Sequence, residues 1–388
     1  MENEDLLKET GEDESGLEKE SLQFSEIEVP FDPSKIDIQV RTITIDSLLK
    51  RLSEGELDLT PDFQRQDNLW NIKQKSRLIE SVLLRIPLPS FYFSEDDDGL
   101  YSVVDGLQRL CAIFHFMDHK LLNDAVNTKL PEMSLQGLQY LNDLESKIFG
   151  KLDRKFQRRI SELEITVNVI RASTPSAVKF NVFARLNQGG LPLNPQEIRN
   201  AIYPGNWRKE LRDLAQNPVF LDITEGKIKP QRQQDTELVL RFLALWNIGY
   251  PFERPRNQNL DEFLNESVEH YIRFWDDVDW QNAKIAFERS LHSAKSILDK
   301  HAFRKSVGWY DRTPINRGLF EAELIALSAL DDHEIEKLQR RKKAFSDLLA
   351  KELSPGKTLA NNLLSGTGSG DTSNARIREI NAIISRVL

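Results

Sequence analysis

The stretch YSVVDGLQRLCAIFHFM, residues 101–117, decides the fold of the first half of the chain. Residues 101–104 alternate and are mostly β-branched or aromatic, which predicts a short β-strand. From residue 107 onward apolar side chains recur every three or four positions, which predicts a helix; they are Leu107, Leu110, Cys111, Phe114 and Met117. Asp105 and Gly106 separate the two elements, so the stretch is a strand, a tight turn and a helix.

The turn between this strand and helix has residues suited to an anion. Gly106 lets the backbone bend sharply and approach a ligand, and the helix start presents unpaired N–H groups. Arg109, in the first helical turn, is unfavourable against the helix dipole, so a phosphate contact would explain its position. A plain turn with a surface arginine explains the same residues. Asp105 also has two interpretations: it holds Mg²⁺ or positions water, or it only caps the helix.

Three segments resemble, in order, the motifs of the GmrSD N-terminal domain family. VVDGLQRL (103–110) is similar to its DGQQR motif. PDFQRQDNLW (61–70) is similar to its P-x-F-Q-R-x-x-x-W segment, and FARLNQGGLPLNPQEIRNA (183–201) to its F-x-R-I-N-x-G-G-x-x-L-x-x-x-E-I-R segment. The sequence departs from the family at Leu107, where the usual residue is Gln, and this predicts slow turnover at best.

The resemblance implies an α+β fold, in which a ParB/sulfiredoxin-like N-terminal domain precedes an all-helical C-terminal domain. It also implies a role in a bacterial restriction or phage-defence system. The residues predicted to bind nucleotide or phosphate are Gln64, Arg65, Gly106, Gln108, Arg109, Arg185, Asn187 and Arg199. Asp105 is the predicted catalytic residue. Glu197 follows Asn194 in a capping-box pattern, which favours a structural role for this carboxylate.

The net charge of −9 comes from the N-terminus. Residues 1–28 carry eleven Asp or Glu and two Lys, a balance of −9, which leaves 50 basic and 50 acidic residues in the remainder. This acidic composition, nearly free of aromatics, predicts a disordered tail over residues 1–30. A body without net charge neither favours nor excludes nucleic acid, because local patches matter more than totals.

The remaining periodicity divides the chain into two domains, residues 31–204 and residues 205–388. In the first, an alternating strand is predicted near 163–169, and residues 118–160 are predicted to be helical. In the second, the apolar periodicity is helical to the end, except for a Gly- and Ser-rich stretch that predicts a flexible loop near 354–374.

Some protein classes are disfavoured by composition. No apolar run approaches the length of a membrane span and no apolar leader is present, so we expect a cytoplasmic protein with no membrane partner. The single cysteine, Cys111, excludes an internal disulfide. His115 and His119 would share one helix face, but no third ligand accompanies them, so we predict no metal site apart from the Mg²⁺ that a nucleotide would bring.

An arginine-rich site with one carboxylate favours binding of a nucleoside triphosphate with Mg²⁺ and at most slow hydrolysis. We therefore expect a nucleotide-binding, slowly NTP-hydrolysing regulatory protein that acts with a partner protein of a defence system. Two alternatives stay open: a module that binds DNA or senses its modification without turnover, and a ParB-like nuclease. Residues 205–388 lack the compact histidine pattern of an HNH nuclease.

Overall fold

The structure is a computed structural model that describes residues 17–18, 33–59, 70–186, 194–228, 230, 233–255, 258–306, 313–364 and 369–388. The chain forms two compact units, one of residues 31–204 and one of residues 205–388 together with the N-terminal 30 residues. The first unit contains a mixed β-sheet with helices, and the described elements of the second are helices. The predicted α+β domain followed by a helical part is therefore confirmed.

The sheet of the first unit has five strands: β1 (Ile38–Thr44), β2 (Leu57–Asp58), β3 (Phe91–Glu95), β4 (Tyr101–Asp105) and β5 (Glu164–Ile170). Their order across the sheet is β1-β5-β3-β4-β2. The pairs β1/β5 and β3/β4 are antiparallel, whereas β3/β5 and β2/β4 are parallel. Alternate side chains of the central strands face one core, because side chains in a strand alternate between its two faces; they are Phe91, Phe93, Val103, Val167 and Val169.

The helices of this unit are α1 (Ile45–Ser53), α2 (Ile72–Leu83), α3 (Leu107–Met117), α4 (His119–Val126), α5 (Arg154–Ser161), α6 (Ser176–Leu186) and α7 (Pro195–Ile202). Helices α2 and α3 pack against each other. Leu110 and Phe114 of α3 are fully buried in the core beneath the sheet. The strand, turn and helix predicted for residues 101–117 are thus the centre of this unit.

The prediction of helix across residues 118–160 is wrong for most of that segment. Only its ends are α-helical, and between α4 and α5 the chain is irregular, with two short 3₁₀ turns. Leu135, Leu138 and Leu144 are buried, and their spacing in multiples of three imitates a helical stripe. The irregular backbone satisfies its polar groups elsewhere, as backbone buried against a core must.

The carboxylate of Glu80 on α2 holds this irregular segment. It accepts hydrogen bonds from the backbone N–H groups of Gln139, Tyr140 and Leu141, at 2.7 to 3.0 Å. Burial by itself raises the pKa of Glu80, but these three donors and nearby Arg77 outweigh it and leave the pKa below its ordinary value. The irregular segment is therefore held by the Glu80 carboxylate, because it has no regular secondary structure of its own at these residues.

The two histidines considered as a metal pair lie on different helices, because α3 ends at Met117 and α4 begins at His119. In His115 both ring nitrogens have partners: Nδ1 lies 3.2 Å from Lys75 Nζ and Nε2 lies 2.8 Å from the Pro131 carbonyl oxygen. Burial lowers the pKa of His115. Within the described ranges, no cluster of three or more His, Cys, Asp or Glu residues could hold a metal ion.

The helices of the second unit are α8 (Trp207–Ala215), α9 (Pro218–Ile223), α10 (Gln234–Ile248), α11 (Leu260–His270), α12 (Asp277–Leu298), α13 (Arg317–Ser328), α14 (Asp332–Arg340), α15 (Lys342–Glu352), α16 (Thr358–Leu364) and α17 (Gly370–Val387). Helix α13 is buried along eleven residues and contacts α10, α12 and α17. Its Glu321 pairs with Arg241 at 2.9 Å and with Arg376 at 3.1 Å. These buried charges compensate one another, as charges removed from water must.

The loop predicted near 354–374 contains more helix than expected. Helix α16 lies inside it, and α17 begins at Gly370. Leu359 and Leu363, four residues apart, are buried and give α16 an apolar face. Ser369 caps α17 by accepting a 3.2 Å hydrogen bond from the Thr372 N–H. The Gly and Ser composition suggested a loop because it does not reveal where these leucines pack.

Part of the predicted disordered tail is also ordered. Leu17 and Glu18 belong to the helical unit, where Leu17 is fully buried and Glu18 is 5% exposed. Their partners lie almost 300 positions away in the sequence, so composition alone could not identify them. None of the helices in the described ranges is both long and apolar enough to span a membrane.

Candidate functional site

Gly106 makes the turn from β4 into α3. Its φ of +94° lies in the left-handed region, which favours glycine. A Cβ at this position would lie 2.1 Å from Phe91 Cδ1, closer than atoms can approach. The residue therefore has to be glycine on two independent grounds. No side chain caps the first turn of α3, so the helix start remains a place where N–H groups can meet an anion.

Asp105, at the end of β4, is the exposed carboxylate of the turn, with a side chain 53% exposed. Its Oδ2 accepts a 3.0 Å hydrogen bond from Arg109 Nη2. The alternative in which Asp105 only caps the helix is wrong, because Gly106 occupies the cap position and no side chain caps α3. The carboxylate is thus held from one side by a cation and open to solvent on the other.

Arg109 is not the surface arginine of the plain-turn interpretation, since its side chain is only 14% exposed. Nη1 donates to the Pro89 carbonyl, Nη2 donates to the Ser90 carbonyl at 3.3 Å, and the guanidinium lies 4.3 Å from the centre of the Phe91 ring. Burial lowers the pKa of Arg109, and the Asp105 carboxylate opposes that shift. The guanidinium therefore braces the segment that leads into β3 against the turn, and its contact with phosphate stays a prediction.

Gln108 connects this turn with the predicted segment 61–70. Its Oε1 accepts a long, 3.4 Å hydrogen bond from the Trp70 N–H, the last residue of that segment. Gln64 and Arg65 lie outside the described residues. The structure therefore brings the end of the first segment to the turn but says nothing about its two predicted ligands.

The third predicted segment is only partly described. Arg185 lies within α6, Asn187 lies outside the described residues, and Arg199 lies on α7. Arg199 is fully buried and donates to Gln196 Oε1 on its own helix. Its contact with phosphate stays a prediction. An arginine side chain can lie in a domain interior when its N–H groups find hydrogen-bond acceptors there.

Glu197 has the structural role that the sequence favours. Its backbone N–H donates to Asn194 Oδ1 at 2.9 Å, and its Oε2 accepts from the Asn194 N–H at 2.5 Å. This reciprocal pair is a capping box at the start of α7. Helix α7 contacts β4, so the box fixes a helix beside the strand that carries Asp105.

Sequence reasoning missed two polar residues that lie in one row with Asp105 across the sheet. Tyr92 on β3 pairs with Asp105 on one side and with Asn168 of β5 on the other. The side chains of Tyr92 and Asn168 are half-buried. Asn168 follows Glu164 and Thr166 at the polar positions of an alternating strand, so the sequence does not distinguish it, and its neighbours depend on strand order.

Comparison with known proteins gives one family. Residues 45–204 match the family described as GmrSD restriction endonuclease, N-terminal domain. The match includes the β4–α3 turn and helices α1 to α7, whereas β1 and the helical unit lie outside it. No curated protein matches the chain.

Proposed function

Residues 45–204 belong to the GmrSD restriction endonuclease N-terminal domain family, and from this premise we propose that the chain is a nucleotide-binding regulatory protein. The family indicates a role in a restriction or defence system. The finer proposal is a cytoplasmic protein that binds a nucleoside triphosphate with Mg²⁺, hydrolyses it slowly, and acts with a partner protein of that system.

The observation that carries this proposal is the turn of Asp105, Gly106 and Arg109. An uncapped helix start supplies N–H groups for phosphate oxygens, and Gly106, with its positive φ, makes the turn that leads into this helix start. Asp105 is exposed and could hold Mg²⁺, a cation that prefers carboxylate and phosphate oxygens. Arg109 keeps this carboxylate in position.

Slow hydrolysis is proposed because of Leu107. Its side chain is 6% exposed and packs in the core of the first unit. A buried leucine can neither orient water nor donate to a phosphate oxygen. The proposed site therefore has binding groups but no second polar group at the position where the family usually has Gln, which fits a switch better than a working enzyme.

Calorimetric titration of the full chain with each NTP and Mg²⁺ tests the proposal. Asp105→Asn should weaken Mg²⁺-dependent binding about tenfold or more, because it removes the only charge that the turn offers the metal. Asp124→Asn makes the same change on an exposed residue of α4 and should bind as wild type. Absence of NTP binding by the wild type, or equal affinity of the two variants, would contradict the proposal.

A second candidate function, DNA binding without turnover, is favoured by a cluster of arginines at β1. The guanidinium groups of Arg41 and Arg171 both donate to Gln39 Oε1, at 2.7 to 3.2 Å. Arg51 lies 4.6 Å from the centre of the Tyr101 ring, whose hydroxyl accepts from Arg41. Arg171 and Arg51 also pair with carboxylates, Glu95 at 2.9 Å and Glu56 at 3.3 Å, so Arg41, whose partners are neutral, is the arginine of this cluster that a phosphate would stabilise.

A salt series of DNA binding distinguishes this second candidate. If Arg41 contacts phosphate, Arg41→Gln should reduce the slope of log affinity against log salt by roughly one. Arg154→Gln, on an exposed residue of α5, is the matched control and should leave the slope unchanged. A wild-type protein that ignores DNA at low salt would remove this candidate and leave the nucleotide proposal intact.

A further inference from the structure

Glu18 is held by four groups of the helical unit. Its Oε1 accepts from Lys305 Nζ at 2.7 Å and its Oε2 accepts from Asn316 Nδ2 at 2.7 Å. Its carbonyl oxygen accepts from Arg317 Nη1 at 2.9 Å, and its N–H donates to the Ile315 carbonyl at 2.9 Å. Both carboxylate oxygens and both backbone groups of a single residue are therefore recognised.

The backbone at Leu17 and Glu18 pairs with the helical unit in the manner of an added strand. Leu17 forms a parallel bridge with Ile315, and Ile315 forms an antiparallel bridge with Arg304. Leu17 thus extends a small pre-existing pair at its edge, which is how extended peptides are bound by strand addition. The Leu17 side chain is fully buried, so the unit encloses this side chain in addition to making the main-chain contacts.

The surroundings of Glu18 select a carboxylate. Lys305, Asn316 and Arg317 are each less than a tenth exposed, so this part of the pocket is removed from water. Asn316 also caps α13, since its Oδ1 accepts from the Leu319 N–H at 2.9 Å, and Glu18 therefore lies at the positive end of that helix. A lysine buried here without an acidic partner would be costly, so the pocket requires an anion.

We propose that the helical unit carries a peptide-binding site for an extended Leu–Glu segment, and that the N-terminal segment of this chain occupies it. Lys305 and Asn316 bind the carboxylate, Arg317 and Ile315 bind the backbone, and the leucine side chain is enclosed. We call this site the Leu–Glu pocket; it is formed by Lys305, Ile315, Asn316 and Arg317. A covalently attached ligand needs only modest intrinsic affinity, because attachment gives it a high effective concentration.

Proteolysis of the full chain tests occupancy. Trypsin needs several extended residues on each side of its cleavage point, so docking of Leu17 and Glu18 should protect the bond after Lys19. Glu18→Gln should raise the rate of this cleavage about tenfold or more, since it removes a charge-assisted pair. Glu12→Gln, the same change earlier in the acidic segment, should not. Leu17→Ser should also raise the rate of this cleavage, although it leaves the carboxylate of Glu18 available to Lys305.

Binding in trans tests whether the pocket recognises this sequence. A fluorescent peptide of residues 11–25 should bind the full-length Glu18→Gln protein, whose own segment competes poorly, and should bind wild type more weakly. The same peptide carrying Glu18→Gln should bind about tenfold or more weakly than the unmodified peptide. Equal cleavage of wild type and Glu18→Gln, or equal affinity of the two peptides for the folded protein, would overturn the proposal.

Discussion

The carboxylate of Asp105, at the end of β4, accepts a 3.0 Å hydrogen bond from Arg109 in the first turn of α3. The pair combines two unequal partners, because Asp105 is 53% exposed whereas Arg109 is only 14% exposed. An exposed partner makes the ion pair itself weak. Most of what Arg109 contributes to stability must therefore come from its other contacts, to the carbonyls of Pro89 and Ser90 and to the Phe91 ring.

We expect Arg109→Ala to destabilise the protein by about 1.5–3 kcal/mol, because it removes charge-assisted hydrogen bonds to two carbonyls and a cation–π contact. Urea unfolding measures the change. Arg154→Ala, on an exposed residue, should cost less than about 0.5 kcal/mol. If the two variants unfold at the same urea concentration, the bracing role of Arg109 is wrong.

We expect Gly106→Ala to destabilise the protein by at least about 2 kcal/mol, because a Cβ is disfavoured at this φ and the core ring of Phe91 would have to move. Gly150→Ala is the matched control, since a Cβ there meets nothing within 4 Å. Thermal unfolding of both variants gives the comparison. A Gly106→Ala variant as stable as the control would mean that the turn has another conformation.

We expect Leu107→Gln to accelerate NTP hydrolysis, because it restores the amide that the family usually has at the turn, and to destabilise the protein by about 1–3 kcal/mol, because position 107 is only 6% exposed. Leu100→Gln, at a leucine that is 38% exposed, is the control. Stability is measured by urea unfolding and turnover by phosphate release. A folded Leu107→Gln variant with unchanged hydrolysis would show that Leu107 is not the cause of slow turnover.

Glu323 on α13 should make stability fall as pH rises. Burial raises the pKa of Glu323 to about 8, against 4.5 for an ordinary glutamate, although the Phe303 N–H donates to it. A carboxyl group whose pKa is higher in the folded state contributes stability below the unfolded pKa and loses it as pH rises through the folded value. The loss should lie between about pH 4.5 and 8 and be on the order of a few kcal/mol.

Glu323→Gln should remove this pH dependence, because the amide stays neutral and can still accept from Phe303. Denaturant unfolding from pH 5 to 9 tests the expectation, and Glu336→Gln, on an exposed residue, should retain the wild-type profile. If the unfolding free energy of the wild type does not change between pH 5 and 9, the expectation is wrong, and the folded protein does not keep Glu323 protonated.

Features that depend on near neighbours in the chain were readable from the sequence. The strand, turn and helix of residues 101–117, the glycine at their turn, and the capping box of Asn194 and Glu197 follow from contacts up to four residues apart. The ordered motifs also identified the family that matches residues 45–204. Local periodicity and capping chemistry are sufficient for such features, because the atoms that stabilise them are specified within one segment.

Features that depend on distant segments were decided only by the tertiary structure. Arg109 braces Pro89 and Ser90 because β3 lies beside β4, and Arg199 is buried because α7 packs into the unit. Glu18, within an acidic stretch that predicted disorder, is ordered because Lys305, almost 300 residues later, is buried beside it. A charge is stable in an interior only next to its partner, and which residues become partners is determined by the packing of the whole chain.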